Sequence, residues 1–244
     1  MAMKPKIEVI YKDKNLLAIN KPAGLLVHPI EGKKSEATLT DWLLEKYPEV
    51  KTVGDDPEHR PGIVHRLDKD TSGIILVPRN QKTFEYLKNL FQTHQIQKTY
   101  TAIVWGKMQP ASGVIKKPIG IKTGTLKRTS DVRHAKMVKD ATTVYRTVRR
   151  LKWENHDLTL LEVAPKTGRT HQIRIHLAST NHPIVGDRLY GGRRPTPSWV
   201  NRQFLHAGSV EFTLPDGKLL KLTAKLPKDL NLEKFETADP DSSL

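Results

Sequence analysis

Residues 59–79 bring together side chains that could carry out acid–base and electrostatic chemistry. The centre of this segment reads His65-Arg66-Leu67-Asp68-Lys69-Asp70-Thr71-Ser72-Gly73. Carboxylates close to basic side chains are suited to proton transfer or to attack on an electrophilic carbon. The alternative interpretation is a solvated turn whose Asp and Thr side chains bond their own backbone. Composition alone does not decide between these two interpretations.

The residues around this segment predict a loop that leads into a buried strand. Pro61-Gly62 and Gly73 are turn formers, and residues 74–77 form a continuous apolar run. A rigid strand that follows a charged loop is a common way to hold reactive side chains in place. This arrangement favours a functional loop at residues 65–73.

The rest of the chain predicts short strands interrupted by a few helices. Apolar patterning indicates strands at 7–11, 16–20, 98–105, 158–163, 209–214 and 219–224. Helical spacing indicates a helix at 39–47, with Thr38 and Asp41 as a capping box, and a second helix that begins after Asn80. Residues 170–179 fit either a strand or a helix, because their apolar positions satisfy both periods.

Basic residues dominate the chain and are concentrated in its middle. Lys and Arg number 41 against 26 Asp and Glu, which gives a formal net charge of +15. Residues 98–152 hold 14 Lys and Arg against 2 acids, with Lys127, Arg128 and Arg133 among the cations. Glycine and threonine between these cations favour mobile loops over a helix face. We expect this window to contact RNA in a salt-dependent way; solvated lysines are the alternative.

Composition disfavours several classes of protein. No cysteine is present, which removes disulfides, thiolate metal sites and thiol nucleophiles. The N-terminus lacks the apolar core of a signal peptide, and no run approaches the roughly 18 apolar residues of a membrane span. We therefore expect a cytoplasmic protein without a membrane partner.

Four segments, in order along the chain, resemble the RluA family of RNA pseudouridine synthases. Residues 65–73 are similar to the signature loop of that family. The other three segments are Asn20-Lys21-Pro22-Ala23-Gly24, Lys98-Thr99-Tyr100, and Gly168-Arg169-Thr170-His171-Gln172-Ile173-Arg174 followed by Gly186-Asp187. The resemblance extends over residues 7–227.

The resemblance implies an α+β pseudouridine synthase fold. Such a fold has a long mixed, mostly antiparallel sheet in two halves, flanked by helices, with a central catalytic cleft. We expect one catalytic domain at residues 1–237 and a disordered tail at 238–244. Many relatives carry an S4-type RNA-binding domain ahead of the catalytic domain. Because a strand is already predicted at residue 7, we expect a catalytic domain alone. We also expect a monomer.

The implied reaction is the isomerisation of uridine to pseudouridine. It breaks the N-glycosidic bond, rotates the freed uracil and joins the uracil C5 to the ribose. Nothing is oxidised and nothing external is added. The reaction needs a positioned carboxylate, a slot that holds the base and excludes water, and donors that stabilise charge on the departing ring. We therefore expect no metal ion and no organic or nucleotide cofactor.

The resemblance assigns catalysis to Asp68, Tyr100 and Arg174. Asp68 could attack the anomeric carbon or remove a neighbouring sugar proton, and the sequence leaves both routes open. Arg174 would counter the charge of Asp68, because an unpaired buried charge is costly. Tyr100 would stack on the target base and help to remove the C5 proton. The alternatives are an RNA-facing arginine and a strand tyrosine packed in the core.

Further positions are assigned to substrate binding. Arg66 matches the arginine that, in some relatives, fills the space left by a flipped nucleotide, and His65 precedes it in the loop. Ile173 and Leu205 would form the apolar floor under the ring, although core packing explains them equally well. Arg169, with His171, would contact the RNA backbone or brace the protein loop in which both lie.

The expected partner is structured RNA, either ribosomal or transfer RNA. A second hypothesis is a non-catalytic RNA-binding or ribosome-assembly protein, which the joint presence of Asp68, Tyr100 and Arg174 disfavours. A third hypothesis is a metal-dependent hydrolase built on the ten histidines. His171 and His176 are five positions apart with no acid between them, so the familiar helical zinc spacing is absent.

Overall fold

Apolar patterning predicts seven of the strands in this fold, with shifts of up to four residues at their ends. The strands at 112–116, 119–122, 128–129, 135–139, 142–153 and 236–237 are not predicted. The computed structural model describes residues 7–29, 36–125 and 127–238. Its strands are β1 (Glu8–Lys12), β2 (Leu16–Lys21), β3 (Ser72–Pro78), β4 (Gln97–Trp105), β5 (Ser112–Lys116), β6 (Ile119–Lys122), β7 (Arg128–Thr129), β8 (Ala135–Lys139), β9 (Thr142–Trp153), β10 (His156–Pro165), β11 (Leu205–Thr213), β12 (Leu219–Thr223) and β13 (Glu236–Thr237). The predicted tail lies, from residue 239 onward, outside the described residues.

Side-chain caps define the first two helices. Before α1 (Leu39–Lys46), Thr38 Oγ1 accepts from the Asp41 backbone N–H over 3.3 Å, and Asp41 Oδ2 accepts from the Thr38 N–H over 2.8 Å. Before α2 (Gln81–Gln92), Asn80 Oδ1 accepts from the Thr83 N–H. The predicted capping box and the predicted Asn80 cap are both confirmed. Short 3₁₀ helices lie at Pro48–Thr52, Val132–His134 and Leu232–Lys234.

Residues 170–179, for which the sequence fits both periods, contain the helix α3 (Gln172–Ser179). Six consecutive residues of α3, from Gln172 through Leu177, are buried. Three of these buried residues, Gln172, Arg174 and His176, are polar and alternate with the apolar residues between them. Because the polar side chains are buried rather than gathered on a solvent face, the pattern also fits a strand period of two. His171 begins the helix in the left-handed region, at φ 56°.

The chain folds into two compact units. The first unit comprises Met1–Gln97 and Ala207–Lys225, and the second comprises Lys98–His206 and Leu226–Leu244. The single catalytic domain expected at residues 1–237 stays a prediction.

In the first unit, strands β1, β2, β3 and β11 lie side by side in that order, and β12 pairs with β11. The pairs β1–β2, β2–β3 and β11–β12 are antiparallel. Every residue of β3 is buried. Its Ile74 and Leu76 side chains belong to one core cluster with Leu87 and Leu90 of α2 and with Val210 and Phe212 of β11. This packing fixes the strand that leaves the charged loop.

In the second unit, the strand order is β4, β10, β9 and β13, and β5 also pairs with β9. The pairs β4–β10, β9–β10, β9–β13 and β5–β9 are antiparallel. The core of this unit includes Ile103 and Leu161 from the strands and Leu177 from α3. The predicted α+β class, with mainly antiparallel strands, is confirmed.

The basic window 98–152 is more ordered than the sequence predicts. Its cations were expected in mobile loops, but β6, β7 and β8 form a separate three-stranded antiparallel sheet. A Cβ at Gly120 would lie 2.9 Å from Lys136 O, so glycine here permits close strand packing rather than a loop. Ile119 anchors the small sheet by packing with Ala141 and Ile175. The expectation of loops is therefore wrong.

Candidate active site

The loop that carries Asp68 is fixed by its backbone. Asp68 is half-buried between the buried Leu67 and the buried Thr71. The Asp68 carbonyl accepts from the Thr71 N–H over 3.1 Å, and the Lys69 carbonyl accepts from the Gly24 N–H over 2.9 Å. Two of the segments singled out in the sequence, 20–24 and 65–73, are therefore joined directly.

Lys21 is the strongest tie between these two segments. Its side chain is completely buried, with an exposed fraction of 0%. The Nζ ammonium donates to the carbonyls of Pro22, Leu25 and Lys69 at 2.8, 2.9 and 3.0 Å. Burying an ammonium is costly unless its donors are satisfied, and backbone carbonyls satisfy it here. Sequence reasoning noticed Lys21 only as part of a motif and missed this positioning role.

Gly73 fixes the exit of the loop into β3. Its backbone adopts φ +122°, and a Cβ there would lie 2.3 Å from Ala207 O of β11. Only glycine allows this approach. The neighbouring strand therefore holds the base of the loop directly.

His65 and Arg66 are held within the first unit. The Leu76 N–H donates to His65 Nε2 over 2.8 Å, and the His65 ring stacks on Phe91 with centroids 4.6 Å apart. Arg66 is exposed, and its Nη1 lies 3.3 Å from His28 Nε2. These contacts position both residues, and their predicted contacts with the substrate stay predictions.

His28 is a residue that sequence reasoning did not single out. Its Nδ1 lies 2.9 Å from Pro29 O, which places a proton on Nδ1 and leaves Nε2 to accept from Arg66. Burial and the nearby Arg66 charge lower the pKa of His28. A neutral His28 can therefore orient the Arg66 guanidinium without repelling it.

In the second unit, Arg174 of α3 forms a buried ion pair that the sequence did not predict. Its Nε and Nη2 donate to Asp187 Oδ2 and Oδ1 at 2.7 and 2.9 Å. The two side chains are 9% and 0% exposed. The guanidinium also lies over the Tyr190 ring, 5.2 Å from its centroid. Asp187 thus holds the predicted catalytic arginine in a single orientation.

The Asp187 carboxylate stays charged in this buried setting. Burial raises the pKa of Asp187, but the hydrogen bonds and charge of Arg174 outweigh burial and hold that pKa below its usual range. Asp187 Oδ1 also accepts from the N–H groups of Leu189 and Tyr190. The Gly186-Asp187 segment in the family resemblance was the one sequence signal for this partner.

Tyr100 lies on β4, half-buried against the core of the second unit. Ile173 and Leu205 belong to that same core and are 5% and 3% exposed. Their burial is what core packing predicts, and their predicted role under the base stays a prediction.

Lys98 is a further titratable group on the strand of Tyr100. Residues two apart on a strand point to the same face, so Lys98 and Tyr100 share one. Burial, followed by the charge of Lys166, lowers the pKa of Lys98 to about 8. An amine with this pKa can accept a proton near neutral pH. Its position in Lys98-Thr99-Tyr100 was the signal that could have identified it.

Arg169 and His171 brace the start of α3. Arg169 Nε donates to Asp140 O over 3.0 Å, and the Arg169 N–H donates to Gln172 Oε1. His171 Nδ1 lies 3.0 Å from Tyr190 Oη. These contacts support the bracing alternative, while contact with RNA stays a prediction.

The three cations predicted to bind RNA differ in their surroundings. Lys127 is exposed and Arg128 is half-buried. Arg133 is 80% exposed and donates from Nε and Nη2 to Asp131 Oδ1 and Oδ2, each over 2.9 Å. Hydrogen bonds from Arg133 lower the pKa of Asp131 to about 2. The charge of Arg133 is therefore partly offset.

The predicted catalytic residues fall in different units. Asp68 belongs to the first unit, together with His65 and Arg66, whereas Tyr100 and Arg174 belong to the second. The pairing of Asp68 with Arg174 and the catalytic cleft stay predictions.

The structure of residues 7–29, 36–125 and 127–238 bears on two hypotheses, a metal site and a membrane-spanning helix. In these ranges, no group of three or more His, Cys, Asp or Glu side chains could hold a metal ion. The metal-hydrolase hypothesis therefore gains no support from the geometry. No helix in the same part of the chain is long and apolar enough to cross a membrane.

Comparisons with known proteins agree with the motifs. Residues 15–179 match the family model described as RNA pseudouridylate synthase. An uncharacterized RNA pseudouridine synthase of Chloroflexus aurantiacus is 42% identical over 214 residues, which are 87% of this chain and 64% of that protein. The ribosomal large subunit pseudouridine synthase D of Yersinia pestis is 38% identical over 236 residues, which are 92% of this chain and 68% of that protein.

A solved structure is similar as well. Human RNA pseudouridylate synthase domain containing 1 superposes with a TM-score of 0.75 at 22% identity, over 96% of this chain and 91% of that one. This likeness concerns the fold alone. The chain spans less than two thirds of the length of the Chloroflexus relative.

Proposed function

Because this chain belongs to the RNA pseudouridylate synthase family, of the RluA type, we propose that it isomerises uridine in RNA to pseudouridine with Asp68 as the reacting carboxylate. The matched region, residues 15–179, includes Asp68, Tyr100 and Arg174.

The placement of Asp68 is the observation that carries this proposal. The loop is tied at the next residue, where Lys21 Nζ and the Gly24 N–H both donate to the Lys69 carbonyl. Catalysis by a carboxylate requires that the group be held in position before the substrate arrives. A loop tied in this way meets that requirement.

Asp68 acts by one of two routes in the proposed reaction. In one, its oxygen bonds to ribose C1′ as the C1′–N1 bond breaks and the electron pair leaves on the uracil ring. In the other, it removes the proton of C2′ as the C1′–N1 bond breaks, which leaves a C1′=C2′ double bond on the sugar. In both, uracil rotates and its C5 bonds to C1′. In the first route the Asp68 O–C1′ bond breaks at this step, and in the second Asp68 returns its proton to C2′, so the carboxylate is regenerated either way. The C5 proton is then lost and N1 gains a proton. The product is therefore an isomer of the substrate.

Arg174 and Tyr100 have complementary roles in this proposal. Asp187 holds the Arg174 guanidinium through its Nε and Nη2. In the proposed reaction this positive charge stabilises either the Asp68 carboxylate or the charged uracil. Tyr100 offers a flat ring on which a base can stack. Lys98, beside it, is a second candidate to accept the C5 proton.

For the substrate, we propose ribosomal RNA of the large subunit. Several relatives that are 36–38% identical over more than nine tenths of this chain carry the name ribosomal large subunit pseudouridine synthase D. The net charge of +15 suits a structured polyanion. Transfer RNA, the other expected partner, has no comparable support among these names.

The test uses a large-subunit ribosomal RNA transcript that carries tritium at C5 of uridine. Forming pseudouridine releases this tritium, so the wild-type protein should release it. Asp68→Asn should slow the release by at least about a thousandfold, as for other essential reacting groups. Asp70→Asn is the matched control, because Asp70 is an exposed carboxylate two positions along the same loop.

The outcomes separate catalysis from RNA binding. Continued turnover by Asp68→Asn would remove Asp68 from its proposed role. A wild-type protein that binds the transcript without releasing tritium would favour the non-catalytic RNA-binding hypothesis. The expected cytoplasmic location and monomeric state stay predictions.

A further inference from the structure

A cavity of about 340 Å³ opens in the second unit. Its lining includes Asp187, the residue that holds Arg174, together with Gly186, Gly191, Arg188 and Arg194. Cavities of this size can accept a small organic group. No role has been given to this cavity or to its two arginines in the proposed reaction.

The charges around the cavity favour an anion. Arg194 Nη2 donates to Asn181 O and Oδ1 at 3.0 and 2.8 Å, and Arg188 Nη2 donates to Asn201 O over 3.0 Å. These acceptors are neutral, so they orient both guanidiniums without cancelling their charge. Asp187 is the one acid among the described lining residues, and its side chain is 0% exposed. The cavity therefore presents positive charge and no exposed carboxylate.

The walls of the cavity are rigid where glycines form them. A Cβ at Gly186, which has φ +77°, would lie 2.2 Å from Arg202 O. A Cβ at Gly191 would lie 2.3 Å from Asp187 O, and the Gly191 N–H donates to that same carbonyl. The backbone packs too tightly for side chains here. A fixed shape reduces the entropy lost when a ligand binds.

We propose that this cavity binds a phosphodiester group of the RNA strand that carries the target uridine. Guanidinium groups pair well with phosphate oxygens, often through two parallel hydrogen bonds. The hydroxyls of Thr196 and Ser198, which also line the cavity, are suitable further donors to phosphate. A purely apolar ligand would leave both arginines without an anionic partner.

The cavity lies next to the arginine that the proposed reaction uses. Asp187 lines the cavity and also holds Arg174. A phosphate bound there would fix the RNA strand next to the arginine assigned to the reacting centre. The inference rests on the proposed function only for the identity of the ligand, which is RNA.

The test compares two double variants with the same loss of charge. Arg188→Gln/Arg194→Gln removes the guanidiniums of the cavity. Lys218→Gln/Lys221→Gln removes two exposed lysines of the β11–β12 hairpin, each paired with a carboxylate. Filter binding to the large-subunit ribosomal RNA transcript is measured between about 50 and 200 mM salt, the range in which phosphate contacts dominate affinity.

We expect the cavity variant to bind several-fold more weakly at low salt. Its slope of log affinity against log salt should fall by about 1 relative to wild type, as for one lost phosphate contact. The hairpin variant should keep the wild-type slope. Arg188→Lys/Arg194→Lys should restore the slope, because the charge returns, and should recover affinity only in part, because a lysine cannot form the paired hydrogen bonds.

Phosphate-ethylation interference on the same transcript gives a second, position-specific reading. The wild-type protein should exclude RNA ethylated at a defined set of phosphates, and the cavity variant should lose one or two of these positions while keeping the others. An unchanged interference pattern, or equal slopes for both double variants, would overturn the inference. Thermal unfolding checks that each variant is folded. Should the glutamine variant of the cavity not fold, Arg188→Lys/Arg194→Lys carries the test through its affinity: it should bind more weakly than wild type at an unchanged slope, and wild-type affinity would overturn the inference.

These outcomes are distinguishable from those of the proposed function. If the wild-type protein releases tritium and the cavity variant changes neither the salt slope nor the interference pattern, only the phosphate-site proposal is rejected. If the cavity variant changes the salt slope but the wild-type protein releases no tritium, the isomerase proposal is rejected and the phosphate-site proposal stands.

Discussion

The loop of Asp68 and the helix of Arg174 hold their functional side chains by opposite means. In the first unit, the ammonium of Lys21 and the N–H of Gly24 fix the loop through neutral backbone carbonyls. In the second unit, the carboxylate of Asp187 fixes Arg174 through a buried ion pair. The first arrangement uses hydrogen bonds to the backbone, and the second uses a pair of opposite charges.

This difference shows how each region can serve the reaction. Backbone contacts at Asp68 and Lys69 fix the loop that carries the reacting carboxylate. The ion pair places Arg174 firmly while sharing part of its positive charge. The stability of the second region should therefore depend on charge pairing, and that of the first on satisfied backbone carbonyls.

The largest effect should come from removing one member of the buried pair. Arg174→Met leaves the Asp187 carboxylate charged and buried, so the free energy of unfolding should fall by about 3–5 kcal/mol. Urea denaturation followed by circular dichroism measures this loss. The double variant Arg174→Met/Asp187→Leu should recover much of the stability, because neither charge remains. An Arg174→Met protein as stable as wild type would break the contrast between the two regions.

A smaller loss should follow when the donor of the first region is removed. Lys21→Met keeps the length of the side chain but leaves the Pro22, Leu25 and Lys69 carbonyls without the ammonium, which should lower the free energy of unfolding by about 2–3 kcal/mol. Hydrogen exchange should also become faster at the Gly24 amide, which bonds to Lys69 O.

Lys69→Met is the matched control for this prediction. The Lys69 side chain is exposed and pairs with Glu36 at the surface, so its loss should change stability little. Equal stability of Lys21→Met and Lys69→Met would show that the buried ammonium does not support the loop.

The smallest effect on stability is expected at the exposed ion pair of Arg133 with Asp131. Arg133 binds Asp131 through two hydrogen bonds, as Arg174 binds Asp187, but in water. Solvent screens such pairs, so Arg133→Gln should leave the urea midpoint unchanged. Because Asp131 already offsets Arg133, Lys127→Gln should reduce the salt slope of RNA binding more than Arg133→Gln. A larger loss of salt slope for Arg133→Gln than for Lys127→Gln would mean that an RNA phosphate replaces Asp131 as the partner of Arg133.

Local signals in the sequence predict much of the fold. The capping residues Thr38 and Asn80 mark the starts of two helices, and the apolar run at 74–77 marks the strand that leaves the Asp68 loop; both are confirmed. These features depend on neighbours within a few residues, which a sequence displays directly.

Features that depend on distant contacts could not be predicted in this way. Composition cannot show that Lys21 is buried among carbonyls, because charged lysines are usually exposed. The pair of Arg174 with Asp187 spans thirteen positions and a turn, and only the family resemblance pointed to both segments. The small sheet of β6, β7 and β8 was missed because Gly120, read as a loop former, permits close packing instead.

The discontinuous first unit has a consequence for biosynthesis. Strand β3, which anchors the Asp68 loop, lies beside β11, and residues 98–206 must be translated before Ala207 emerges from the ribosome. Until then the nascent chain presents β3 with one unpaired edge, a place where strands of other chains can add. During synthesis, the exposed edge of β3 is therefore covered only after β11 has left the ribosome.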